Sequence, residues 1–111
     1  MSNTLYLEEG EVEKAVNLYR DYPSTAHGKA LGHIFQILAQ TCIKYAKLPK
    51  QAKMTEKNCV YACFDKVNNF NPSKGKAFNY FTTIILNQMR REYRAWKSIV
   101  EKKKKYGYFL A

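Results

Sequence analysis

Apolar residues recur along this chain at spacings of three and four, and polar turn residues break the pattern three times, which predicts about four helices and no sheet. The first helix is predicted over 8–22. Its start is acidic, as the helix dipole favours, its apolar stripe is thin (Val12, Val16, Tyr19), and Pro23 closes it. Ser24 and Thr25 offer an N-cap to a long second helix, in which Leu31, Ile34, Phe35, Leu38, Cys42 and Tyr45 form the clearest core stripe. A basic polar stretch over 47–53, around Pro49, reads as a surface loop. Thr55 and Glu56 cap a third helix with Cys59, Val60, Cys63, Phe64 and Val67 on its apolar face. Asn68, Asn69, Phe70, Asn71, Pro72, Ser73, Lys74 and Gly75 then specify a turn. The last helix is predicted from 76 to about 104, a stretch without Gly or Pro, and only 106–110 carry the alternation of a strand.

At 111 residues there is room for one core, so the expectation is a single all-α domain over 1–111, a small bundle of about four helices. Sorted at 100° per residue, the last helix shows a core stripe of Phe78, Leu86, Met89, Tyr93, Trp96 and Val100. Opposite lie Lys76, Thr83, Asn87, Arg90, Arg91 and Arg94. Between these faces come Tyr80, Phe81, Ile84 and Gln88, which the core stripe does not explain. Rings for stacking, an amide for base edges and guanidinium groups for phosphates are the parts that unpaired bases need. The competing reading is a wide apolar face in a packed helix with a solvated polar back.

Charge narrows the partners. The net charge is +10, and it is uneven: five of the nine acids lie in the first 21 residues, which leaves about +13 on the rest. Such a field attracts polyanions, so nucleic acid, anionic membrane and acidic protein surfaces become the candidates. Lys102, Lys103, Lys104 and Lys105 extend the cationic helix, either as phosphate contacts or as a solvated end that complements the dipole. Three cysteines, an odd number inside apolar patterns, read as reduced buried thiols. With no apolar run of eighteen residues and no leader pattern, the expectation is a cytoplasmic protein without a membrane partner. His27 and His33 are six apart, and Cys59 and Cys63 lack a second pair, so no metal site is expected. No nucleophile, phosphate-loop or metalloprotease motif supports an enzyme or a cofactor.

The segment from Asp65 through the Asn-Pro-Ser-Lys-Gly turn to Lys76, followed by Ala77-Phe78-Asn79-Tyr80-Phe81-Thr82-Thr83-Ile84-Ile85-Leu86-Asn87-Gln88-Met89-Arg90-Arg91, resembles region two of bacterial sigma factors. More closely it resembles the short late sigma factors of tailed bacteriophages. The resemblance implies a transcription initiation factor that binds host core RNA polymerase and recognises and helps melt an A/T-rich minus-ten-type promoter element. Phe81 would hold a base flipped from the nontemplate strand. Ile84 and Ile85 would stand where primary sigma factors carry a tryptophan wedge, and Gln88 would read the upstream base pair. Lys76, Asn79, Tyr80, Thr83, Asn87 and Arg91 would follow the strand, with Phe70 near a base pocket. The third helix would dock on the clamp helices of the polymerase's largest subunit through Glu56, Lys57, Asn58, Tyr61, Phe64 and Asp65, although Asn58-Cys59 stands where the family usually has an acidic residue and glycine. In the family a C-terminal tail binds a sliding clamp, and some members contact the polymerase flap. Here 106–111 is short and apolar, which suits a frayed or core-docked end or a reduced binding peptide, with a sliding clamp or co-activator as a further partner. Two other readings stay open: a basic nucleic-acid-binding module that works without polymerase, and a protein-interaction domain whose lysines only solubilise it.

Overall fold

The computed structural model describes residues 7, 10–48, 52 and 54–110, and for 108–110 only the backbone. The described residues form an all-α bundle: α1 (Glu11–Asp21), α2 (Thr25–Tyr45), α3 (Glu56–Lys66), two 3-10 turns (Val67–Asn69 and Pro72–Lys74) and α4 (Ala77–Leu110). The chain enters α1 through Gly10, whose φ of 83° is left-handed. Ser24 takes the N-cap of α2, its hydroxyl accepting from the His27 amide at 3.1 Å. Thr55 occupies the N-cap of α3, but its side chain makes no cap. Glu92 on α4 does that work: its Oε1 accepts from the Thr55 amide at 2.7 Å and its Oε2 from the Asn58 side chain at 3.2 Å.

The turn between α3 and α4 is built locally. Asn71 Oδ1 accepts from both the amide and the hydroxyl of Ser73, at 3.0 and 2.7 Å, and Gly75 turns the chain at a φ of 153°. Two groups from α1 then secure it. Arg20 donates to the Phe70 carbonyl at 2.8 Å, and Glu13 Oε2 accepts from the Ala77 amide at 2.7 Å, placing a carboxylate at the positive end of α4.

One core joins all four helices. Val12 and Val16 of α1, Leu31, Phe35, Leu38 and Ala39 of α2, and Cys59 and Cys63 of α3 meet Val67, Phe70 and the α4 row Ala77, Phe81, Ile85 and Met89. Phe35 is its hub, with ring centroids 5.0 Å from Phe64 and 4.7 Å from Phe81. The buried row of α4 runs every fourth residue and so advances about 40° per step. This corrects the expected stripe: Phe78 is 49% exposed, while Phe81 and Ile85 point inward. Tyr45, expected in the core, is 70% exposed under the Lys44 ammonium, 5.5 Å from its ring centroid.

Nor does the end of the chain form a strand, since α4 continues to Leu110. Its 34 residues make a rod of about 51 Å, nearly the 56 Å length of the molecule, and its buried row ends at Met89. The second half of α4 therefore projects beyond the bundle. Among the described residues, no helix is long and apolar enough to cross a membrane.

Candidate nucleic-acid interface

The exposed side of α4 carries polar and aromatic groups at i, i+3, i+4 and i+7, so successive turns present them along one line. Two adjoining grooves receive them. The first, about 350 Å³, lies between the 3-10 turns and the start of α4, lined by Asn69, Asn71, Lys74, Lys76, Asn79, Tyr80 and Thr83, with Phe70 at its base. The second, about 420 Å³, lies between α3 and α4, where Asn58, Tyr61, Asp65 and Lys66 face Ile84, Asn87, Gln88 and Arg91. Tyr80 stands beside Lys66, its hydroxyl donating to the Lys66 carbonyl at 3.1 Å. Its ring is half-buried against Phe70 and Phe81, at centroid distances of 5.3 and 4.9 Å.

Most of the residues expected to contact DNA thus share one side of the molecule: Lys76, Asn79, Tyr80 and Thr83 in the first groove, Ile84, Asn87, Gln88 and Arg91 in the second. Phe81 does not. It is 0% exposed, held among Phe35, Tyr80 and Phe70, so the ring expected to hold a flipped base is a core ring in this conformation. Ile85 is equally enclosed, which leaves Ile84 as the accessible member of the expected wedge. Phe70 is buried too and contributes only to the floor of the first groove. The reason is shared: apolar groups that complete a small core gain more by leaving water than by waiting at its surface. Tyr80, with an apolar body and a polar tip, is the ring left at the groove.

The residues expected to meet polymerase divide as well. Phe64 turns inward, its ring 5.9 Å from Tyr19 and 5.0 Å from Phe35. Glu56 is engaged across α2 and α3, accepting from Gln36 at 2.7 Å and Gln40 at 3.4 Å. Lys57, Asn58, Tyr61 and Asp65 are exposed. Three of these four, Asn58, Tyr61 and Asp65, line the same groove as Gln88 and Arg91, so the two expected surfaces meet in one place.

Glu92 is the site residue that sequence reasoning missed. Besides capping α3, its Oε2 accepts from Gln88 Nε2 at 2.8 Å. An ionised carboxylate only accepts, so the amide nitrogen of Gln88 must face Glu92 and its carbonyl oxygen remains for another partner. The i, i+4 spacing of Gln88 and Glu92 was the one visible signal. Arg90 is held in a similar way, donating to Asn87 Oδ1 at 2.9 Å.

Cys59 and Cys63 are buried, not displayed on this surface. All three are free, and burial pushes Cys59 and Cys63 up to about 12, with the Glu92 charge adding at Cys59. Burial raises Cys42 as well. Among the described residues, no group of three or more His, Cys, Asp or Glu could hold a metal ion. Compared with protein-family models, with curated proteins and with solved structures, the chain matches none of them.

Proposed function

We propose that this chain is a sigma-like transcription initiation factor, which binds host core RNA polymerase and presents one side of α4 to the unpaired strand of an A/T-rich minus-ten-type promoter element. One observation carries the reading. Lys76, at the entry to α4, and Asn79, Tyr80, Thr83, Ile84, Asn87, Gln88 and Arg91, over about 18 Å of the helix itself, line two adjoining grooves. Cations at both ends neutralise phosphate, Tyr80 offers a ring face, and the amides address base edges. A/T-rich DNA fits because unpairing costs least there and a stacked base returns about 1 to 3 kcal/mol. Tyr80, rather than the enclosed Phe81, takes the stacking role. The factor has no catalytic residue of its own, and its setting is the bacterial cytoplasm, in late transcription if the gene is a phage's.

Asn58, Tyr61 and Asp65 share the second groove with the DNA-facing residues, so polymerase and DNA would compete for that groove. A basic module that binds nucleic acid alone avoids the conflict.

The test mixes the full chain with bacterial core polymerase, separates complexes by size exclusion, and assays them on A/T-rich duplex and fork-junction DNA. Co-elution, with DNA opening only in the joint complex, supports the sigma-like reading. Within it, Gln88→Ala weakens discrimination at one base pair by about 1 to 3 kcal/mol. Failure to co-elute, with steeply salt-dependent binding by the chain alone, replaces it with the basic module.

A further inference from the structure

The apolar pattern of α4 runs on past the core: Leu86 and Met89 pack in the bundle, and Tyr93, Trp96 and Val100 continue their spacing along the projecting half. Leu86, Met89, Tyr93, Trp96 and Val100 follow one another at three, four, three and four residues, the a and d spacing of a coiled coil, over about 21 Å. The seam leaves the bundle through a groove of about 430 Å³, walled by Ala46 and Leu48 on one side and Leu86, Met89 and Tyr93 on the other. Beyond Met89, none of the described apolar side chains of α4 belongs to the core or packs against it. The Tyr93 and Trp96 rings lie against each other instead, at 5.8 Å, and Ile99 and Tyr106 beside the seam are 55% and 47% exposed.

Charge identifies the occupant. In this register Arg90, Lys97 and Lys104 take the e positions that flank a coiled-coil seam, and Lys47 and Arg94 rim the groove beside them. A second copy of the chain would set this cationic helix against itself, since α4 carries eight Lys and Arg against two Glu. Duplex DNA satisfies the cations but gives the aliphatic and aromatic row nothing to bury against. We infer that the projecting half of α4 is a docking surface for an amphipathic helix of another protein, one with an apolar seam flanked by Glu or Asp. The bound helix closes the seam as a two-stranded coiled coil and pairs its acids with Arg90, Lys97 and Lys104. This goes beyond the initiation-factor reading and holds whether or not the chain binds polymerase.

Trp96 is the only tryptophan and sits in the seam, so it reports occupancy directly. The probe is a synthetic four-heptad peptide with Leu at a and d and Glu at e and g, titrated into the full-length chain while Trp96 emission is followed; the control peptide carries Lys at e and g. The Glu peptide shifts the emission to the blue and saturates, the Lys peptide does not, and Val100→Asp weakens the Glu peptide at least about tenfold without moving the thermal unfolding midpoint. Equal response to both peptides, response to neither, or undiminished binding by Val100→Asp overturns the inference. So does a concentration-dependent dimer in sedimentation, which gives the seam to a second copy. A Trp96 change driven by duplex DNA but not by the Glu peptide gives it to nucleic acid, and overturns it equally.

Discussion

Phe81→Ala separates a core ring from a DNA-contacting one. Phe81 is fully enclosed and packs on three rings, with centroids 4.7 Å from Phe35, 4.9 Å from Tyr80 and 5.9 Å from Phe70. Truncation removes the apolar transfer free energy of the ring and leaves a cavity that three other rings cannot close, a loss of about 3 to 5 kcal/mol. Small domains hold about 5 to 15 kcal/mol in total. The melting midpoint, followed by far-UV circular dichroism, should therefore fall by roughly 12 to 40 °C at the usual 4 to 8 °C per kcal/mol. Phe81→Leu, which fills most of the volume, should recover much of this loss. Every binding function should weaken with the fold and return with it as temperature is lowered. A variant that melts within a few degrees of the parent, yet has lost DNA opening alone, would rule out a purely structural ring: Phe81 would then have to leave the core to act.

Glu92→Ala removes acceptors for the Thr55 amide, Asn58 and Gln88 together, so it should lower stability by about 1 to 3 kcal/mol in urea unfolding and speed hydrogen exchange at the start of α3. Gly75→Ala forces a side chain into a φ of 153°, where no neighbour obstructs it, so a cost of about 1 to 3 kcal/mol should come from backbone strain alone. A neutral result would mean the turn adopts another path. Under native conditions Cys59 and Cys63 should resist thiol reagents and react only at the rate of unfolding, because each is buried and held protonated with a pKa of about 12. The sign of the accompanying pH dependence follows from proton uptake. Unfolded thiols ionise near pH 9 and folded ones do not until about 12, so stability falls with rising pH in that window, by about 1.4 kcal/mol per pH unit for each thiol. Replacing both with Ala should flatten that slope in urea titrations.

The number of helices, their breaks and the chemistry of the last one are legible in the order of residues along the chain. Ser24, Pro23, the Asn-Pro-Ser-Lys-Gly turn and the three-and-four spacing of Leu31, Phe35 and Leu38 act within a few residues, so their signals can be read in order along the chain. The grouping of Lys76, Tyr80, Thr83, Asn87 and Arg91 on one side is likewise a property of helical angle, whereas Asn79 and Gln88 lie about 180° apart on the helix and enter adjoining grooves only through the walls that the 3-10 turns and α3 supply. Tertiary structure decided how α4 is rotated against its neighbours. Sorting the whole helix by angle favours the stripe from Leu86 to Val100, most of which lies outside the bundle. The buried row of Ala77, Phe81, Ile85 and Met89 slants across it because packed helices cross at an angle. That slant put Phe81 in the core and left Tyr80 at the groove. The carboxylates of Glu13 and Glu92 reach helix starts 64 and 37 residues away, so only the packed bundle could pair them.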